Sequence, residues 1–591
     1  IAARMLAARV ASERRAELGR EVGYQVRFES RCGRQTRIKF ETDGILLRQM
    51  VSDPQLSGVS AILFDEFHER HLYADVMLCL ARALQRTTRP DLKLVVMSAT
   101  LDVKRISAYL GDAAVVESSG RMHPVSMEYL RKPLDPERDP VWAIAAEEFA
   151  RLADDHPEGD ALVFMPGAYE IRRTIEAIGR TRAGRESVIL PLHGELPPGE
   201  QDAVFRTFDR RKVIVATNVA ETSLTIDGVR LVVDSGLARK ARFDPNRGIN
   251  TLLIEKISRA SADQRSGRAG RTAPGHCLRL WTERDHAARP EREVPEVQRV
   301  DLAEIVLHLK ALGVEDVGAF SWLDAPEEKT LSRTLDLLVD LGALDPVGRG
   351  ISPLGRRMLA FPVHPRHARM LIEAGTRGGV PVVALIAALT QMDNIMLRGK
   401  GREVRDRRAE SLGEEESSDL LRLVRAWQFA RETRFDVGRC DELGIHARAA
   451  RQAERALEQF LGIAREQGLD TAERPVPGDT VRRCILAGFV DHLARRAGPA
   501  SSRYDVVHKR RGTLDKESVV RDSELIVATD VHEIGTSAGE AEVRLSQVTA
   551  VEREWLTELF PGDVATQRVV SFDPAQRRVR AEEKVLFRDL V

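Results

Sequence analysis

Two adjacent carboxylates, Asp65 and Glu66, followed by His68, end the apolar run Ala61-Ile62-Leu63-Phe64. A short apolar run that stops this abruptly reads as a buried strand of a parallel sheet. Ligands of open α/β sheets bind beyond the carboxyl ends of strands, so Asp65 and Glu66 would stand at a site edge. Paired carboxylates there suit two tasks. One holds Mg²⁺, and the other orients or deprotonates an attacking water. Taken alone, the pair also fits a solvated turn.

A second constellation changes that balance. Gln264, Arg268 and Arg271 fall at i, i+4 and i+7, so a helix would put an amide and two guanidiniums on one face. Gly267 and Gly270 interrupt that stretch. Each weakens a helix by roughly 1 kcal/mol relative to Ala, which implies a close approach to the backbone. Two arginines facing a carboxylate–Mg²⁺ site are the parts of a phosphoryl-transfer enzyme, where they neutralise charge on a γ-phosphate. Ser98, Ala99 and Thr100 end a neighbouring apolar strand on the same rim as Asp65. Their hydroxyls either satisfy loose backbone groups or relay a hydrogen bond from the carboxylates. Thr42 and Asp43, with Gly44, stand where a helix begins. A helix cap explains them, and so does a phosphate grip. The polar segment 217–228 follows a buried strand and offers hydroxyls and an amide for phosphates.

These residues need elements to hold them. Strand-like and helix-like stretches alternate through about residue 293, in two halves joined near 119 by a Gly- and Pro-rich junction. That alternation signals parallel sheets. Two such lobes make a cleft, a favoured ligand site. Beyond 294 the pattern becomes helical, and short strands with glycine turns return after 477.

Composition limits the alternatives. Over 591 residues, 90 Lys+Arg balance 90 Asp+Glu, so any nucleic-acid site must be a local basic patch. Aromatics are 5% of the chain, too few for broad base-stacking platforms. The five cysteines include no CxxC pair, which argues against a disulfide framework or zinc knuckle and for a cytoplasmic setting. No run of about 18 apolar residues suggests a membrane span.

Together, Thr42-Asp43-Gly44, Asp65-Glu66-Phe67-His68, Ser98-Ala99-Thr100, Phe164-Met165-Pro166-Gly167, the 216–228 segment and the 264–271 segment resemble, in order and spacing, the motifs of DEAH-box helicases of superfamily 2, the bacterial HrpB type. Phe67 replaces the Ala of the name-giving box and leaves the chemical residues intact. The resemblance implies a multidomain α/β chain with boundaries as follows: RecA-like lobe 1 at 1–118, RecA-like lobe 2 at 119–293, a winged-helix module at 294–362, a helical ratchet-like region at 363–476, an OB-fold-like module at 477–550 and an HrpB-type C-terminal region at 551–591. It implies ATP and Mg²⁺ as cofactors and single-stranded RNA as partner, with DNA as an alternative. The chain would act as a monomer, moving 3′ to 5′. By the same resemblance Asp65 helps hold Mg²⁺, Glu66 activates water, and His68 couples to Gln264. Arg268 and Arg271 contact phosphates, with Asp227 and Gly228 near the nucleotide. Ser98 and Thr100 link nucleotide state to lobe movement. Thr42, Asp43, Gly44, Gly167, Thr217, Asn218 and Thr222 hold the nucleic-acid backbone, and residues 241–255 form a strand-separating hairpin.

One departure stands out. The 591 residues contain no G-x-x-x-x-G-K-[ST] phosphate loop, and Ile1-Ala2-Ala3 resembles the middle of the helix that follows it in relatives. The expectation is an amino-terminal truncation that leaves this polypeptide weak in ATP binding, with a non-hydrolysing nucleic-acid module as the alternative reading. The basic stretches 398–408 and 508–511 fit either a phosphate backbone or a solvated loop.

Overall fold

The computed structural model describes all residues except 1, 27–28, 99–102, 119–122, 136–137, 195, 197, 222–225, 245–248, 392–393, 398–401, 414, 500, 536–540, 574–577 and 591. The chain divides into two compact units. The first comprises Ile1–Phe243, Asn250–Val300 and Ala319–Pro326, and the second comprises Asp244–Ile249, Asp301–Gly318 and Glu327–Val591.

The first unit holds both α/β lobes. In the second lobe, six strands form one sheet in the order Val125–Tyr129, Gly275–Arg279, Val229–Asp234, Asp160–Phe164, Lys212–Ala216, Val188–Leu192, and every pairing is parallel. Its central strands are buried on both faces. Ala161, Val163, Val213, Val215, Leu231 and Val233 pack on one side, and Leu162, Phe164, Ile214, Ala216 and Val232 on the other. Double burial is why these stretches read as unbroken apolar runs.

The strands of the first lobe fall into two sheets. Ala61–Phe64 pairs in parallel with Lys93–Val96, while Val22–Val26 forms a separate sheet with Ile38–Glu41 and the antiparallel edge Glu29–Arg31. In the two-stranded sheet Ile62 and Phe64 are buried, whereas Leu63 is 59% and Val95 42% exposed. One face of this pair is therefore uncovered, and its strands alternate in burial as a one-sided sheet does.

The second unit opens with helices Ala303–Ala311, Glu328–Asp340 and Pro353–Leu359, with a Leu344–Ile351 bridge between the last two. Among the described residues, six helices follow between Pro365 and Glu466. The segment expected to open on strands begins instead with helix Gly478–Phe489, whose Val481, Cys484, Ile485 and Leu486 are buried. A closed five-stranded barrel follows, built from Leu493–Arg496, Arg503–Val506, Arg510–Leu514, Leu525–Gly535 and Ala541–Val551. Helix Arg553–Leu559 and the hairpin Val564–Asp573/Arg578–Phe587 end the chain. Within this unit the basic stretch at 508–511 is already engaged: His508 meets Asp340 at 2.8 Å, Arg510 donates to the Val507 carbonyl and Arg511 pairs with Asp505 at 3.1 Å. No helix among the described residues is long and apolar enough to cross a membrane.

Candidate active site

The Asp65–Glu66 rim is built by register. Phe64 lies opposite Val96, the Met97 amide donates to the Phe64 carbonyl, and the Phe67 amide donates to the Met97 carbonyl. Ser98 therefore follows its strand end beside Asp65, as the sequence implied, while Ala99 and Thr100 lie outside the described residues. After Asp65 the chain turns through the 3₁₀ segment Phe67–Glu69. Phe67 explains its own presence in the box. Its buried ring meets Phe64 edge-on at 6.2 Å, and the Arg70 guanidinium lies 5.8 Å from it. A small residue would leave that space empty.

Asp65 is exposed and accepts the Glu66 amide through one oxygen, at 2.9 Å. Burial raises the Glu66 pKa, with Asp65 and Glu69 adding to the rise and His68 and Arg268 opposing it. A carboxylate held above its usual range is a better base than a solvated one.

His68 carries the link across the cleft. Its Nε2 lies 2.6 Å from the Gln264 amide nitrogen, and its Nδ1 lies 3.5 Å from Glu66 Oε2. An amide nitrogen can only donate, so Nε2 accepts from Gln264 and the ring proton sits on Nδ1. The Gln264–His68 bond joins the two lobes, while His68 Nδ1 approaches Glu66 without a hydrogen bond to it.

The second constellation is not the single helical face that its spacing suggested. Helix Arg259–Gly267 ends after Gln264, and Arg268–Gly270 forms a 3₁₀ turn. The helix starts near the carboxyl end of strand Val229–Asp234, where the Ile257 amide donates to Gly236. It finishes at the amino end of the sheet, where the His123 amide donates to Gly270. The backbone approach implied by Gly270 is therefore the protein's own: a Cβ there would lie 2.5 Å from the His123 carbonyl. Arg268 donates through both Nε and Nη2 to the Glu221 carbonyl. Burial and then Arg271 push the Arg268 pKa down to about 10, with Glu66 and Glu221 opposing. Burial also lowers Arg271, against Glu66 and Asp227. Buried Arg268 and the more exposed Arg271, both near Glu66, make a surface that suits added negative charge.

The second lobe consequently offers two rims. Asp227, Arg268 and Arg271 precede strands Val229–Asp234 and Gly275–Arg279 and so lie at amino ends. Gly167, Thr217 and Asn218 follow strands and lie at carboxyl ends. Gly228 has a turn-making reason of its own, with φ +86° and a Cβ position 3.3 Å from Asp160. A Cβ at Gly167 would come within 2.7 Å of the Arg239 side chain and 2.9 Å of Glu170, so these side chains leave no room for one here. Asn218 lines a cavity of about 510 Å³ together with His68 and Gln264. The histidine–glutamine contact therefore stands beside a space that reaches the carboxyl rim. Thr42 is the N-cap residue of helix Asp43–Ser52, yet its side chain makes no capping bond. Burial raises the Asp43 pKa. A Cβ at Gly44 would only brush the Tyr73 ring, at 3.9 Å. Thr222 and the hairpin turn 245–248 lie outside the described residues, as do 398–401. The strands flanking that turn, Leu237–Asp244 and Ile249–Lys256, pair as a hairpin, braced by Arg242 and Glu255.

The sequence did not reveal what supports this site. Arg265 is 1% exposed and donates to Glu221 at 2.8 Å and to Asp234 at 2.8 Å, with its guanidinium 4.8 Å from the Phe164 ring. Ser261 also donates to Glu221, at 2.6 Å. This cluster fixes the helix that presents Gln264 and the carbonyl that holds Arg268. Its partners lie tens of residues apart, and the only available signal was an arginine inside a glycine-rich motif.

Metal chemistry fits the donor set. Asp65 and Glu66 supply hard oxygen ligands, and no cluster of three or more metal-ligating side chains occurs among the described residues. Mg²⁺ is commonly held by one or two carboxylates plus substrate phosphates and water, as this pair allows.

The comparisons with known proteins place the chain in a family. The helicase conserved C-terminal domain matches residues 145–273, and the winged-helix helicase associated domain (HA2) matches 334–363. The chain is 34% identical over 587 residues to the probable ATP-dependent RNA helicase DHX35 of Homo sapiens, covering 95% of this chain and 81% of that protein. The chain belongs to the DEAH/RHA family of superfamily 2 helicases. It is also 34% identical over 511 residues to the ATP-dependent RNA helicase HrpA of Escherichia coli K12, covering 84% of this chain but 39% of HrpA. A crystal structure of the E. coli DExH-box NTPase HrpB superposes with a TM-score of 0.69 at 32% identity, covering 100% of this chain and 66% of HrpB. A second structure, of E. coli DEAH/RHA helicase HrpB, gives 0.70 at 31% identity and 68% of its length. As in those HrpB structures, this DEAH/RHA chain combines a RecA-like parallel-sheet core with a winged helix, helices and a small closed barrel.

Proposed function

We propose that this chain is the motor region of an RNA helicase that hydrolyses ATP in the cleft between its two lobes and moves 3′ to 5′ along single-stranded RNA. Family membership makes the parent an ATP-dependent helicase. The observation that carries the finer reading is the Gln264–His68 contact, because it brings Glu66 and the Arg268–Arg271 pair to one cleft.

The roles follow from chemistry. Asp65 and Glu66 would hold Mg²⁺, which when bound offsets phosphate charge. Glu66 takes a proton from the attacking water. Arg268 and Arg271 stabilise negative charge on the phosphoryl oxygens, and Asp227 lies on the same side. Gln264 and His68 sense whether the lobes are closed, with Ser98 and Thr100 completing the relay. Thr42, Asp43, Gly44, Gly167, Thr217, Asn218 and Thr222 hold the RNA backbone. The boundaries 1–118, 119–293, 294–362, 363–476, 477–550 and 551–591 remain our division of the chain, supported by the helicase C-terminal match within the second segment.

A non-hydrolysing nucleic-acid clamp is the second reading, motivated by the absence of a G-x-x-x-x-G-K-[ST] loop from the 591 residues. A DNA translocase is the third. Steady-state ATP hydrolysis with single-stranded RNA, single-stranded DNA or neither separates all three. RNA-selective stimulation is expected. No hydrolysis by the full-length protein selects the clamp, and preferential stimulation by DNA selects the translocase.

A further inference from the structure

The turn that carries Glu66 and His68 is left-handed at both ends. Glu66 has φ 49° and Arg70 φ 52°, a region that side-chain-bearing residues disfavour. Contacts outside the turn hold its far end. Arg70 grips Asp75 with two parallel bonds, at 2.9 and 2.8 Å, and reaches Asp324 at 2.5 Å.

Asp324 receives a second arginine. Its other oxygen accepts from Arg105, which also donates to the Leu323 carbonyl at 3.0 Å. Arg105 stands on helix Val103–Tyr109, the next element after Ser98, and Tyr109 of that helix donates to the Ser321 carbonyl at 2.6 Å. One largely buried carboxylate therefore ties the end of the Asp65–His68 turn to the helix that follows Ser98. The segment that bears it is unusual. Ala319–Pro326 belongs to the first unit, although the stretches on both sides of it belong to the second. Apolar docking by Leu323 and Pro326 would suffice to seat such a loop. It would not require arginines from both the 67–70 turn and helix Val103–Tyr109.

We propose that Asp324 is a positioning residue of the ATPase cycle. It acts through Arg70 on the turn that aims Glu66 and His68, and through Arg105 on helix Val103–Tyr109. Neither the 67–70 turn nor helix Val103–Tyr109 can shift without straining residues 319–326, which run directly into helix Glu328–Asp340. This inference rests on the reading that Glu66 carries hydrolysis.

The test compares Asp324→Asn, Asp324→Glu and Arg105→Gln in the full-length protein. It uses hydrogen exchange of peptides spanning 64–72 and 319–326, ATPase kcat and KM, and melting temperature. Asp324→Asn should speed exchange in both peptides by roughly tenfold, lower kcat about tenfold and leave KM for ATP within about twofold. Asp324→Glu should recover part of kcat, and Arg105→Gln should add little to Asp324→Asn. Unchanged exchange at 64–72 in a folded Asp324→Asn protein overturns the proposal. Equal losses of kcat and melting temperature in the Asn and Glu variants also overturn it, since they mark a plain tether. If the wild type hydrolyses no ATP, the proposed function fails, while the exchange result still decides whether Asp324 holds the 64–72 turn.

Discussion

Glu66 owes its basicity to its surroundings. Partial burial raises its pKa first, Asp65 and Glu69 raise it further, and His68 and Arg268 restrain it. A base works only when deprotonated, so hydrolysis should fail once the pH is low enough to protonate Glu66. Glu69→Gln removes one raising charge, so the acidic limb of the kcat/KM profile should move to lower pH. A limb that moves upward contradicts the assignment. Glu66→Gln should cut single-turnover hydrolysis by about 10²–10⁴-fold, the usual worth of a positioned base, with nucleotide affinity retained. At this scale the sequence was informative: Asp65, Glu66, His68, Gln264, Arg268 and Arg271 were all visible by type and order. The bond from Gln264 to His68 was visible only through resemblance, because no local pattern joins residues 196 positions apart.

The element that presents Gln264 depends on a buried charge cluster. Arg265 neutralises Glu221 and Asp234, all three largely withdrawn from water. Removing one partner of such a group strands the others. Arg265→Met should therefore destabilise the protein by about 3–5 kcal/mol in denaturant titration. A loss within experimental error would refute the supporting role. Gly270→Ala forces a Cβ against the His123 carbonyl and should cost roughly 1–3 kcal/mol by the same measurement. The strands of the second lobe were legible because burial on both faces writes unbroken apolar runs. The end of the helix at Gly267 was not, since helical spacing continues through Arg268 and Arg271 while the backbone tightens to 3₁₀ beneath them. The first lobe's division into two sheets was equally hidden, because strand neighbours depend on partners and not on the run itself.

Across the molecule, each unit carries its own electrostatic keystone. In the second unit, buried Arg366 grips Asp491 with two bonds, at 2.5 and 2.8 Å. Burial alone would raise this carboxylate, but Arg366, His492 and Arg510 outweigh it and hold the pKa well below the ordinary value. The sign follows directly. Stability from this pair is fully present above the unfolded-state pKa of about 3.9 and is lost as pH falls through the lower folded value. Asp491→Asn should flatten that acid dependence in thermal unfolding; an unchanged acid limb would contradict it. In the first unit the central claim is that Glu66 on one lobe and Arg268 with Arg271 on the other form a single hydrolytic site answering to RNA. ATP turnover by the full-length protein, with and without single-stranded RNA, in wild type and Glu66→Gln, tests it most directly. The account predicts RNA-stimulated turnover in the wild type and its collapse in Glu66→Gln under both conditions. Turnover that survives Glu66→Gln, or that ignores RNA, would contradict it.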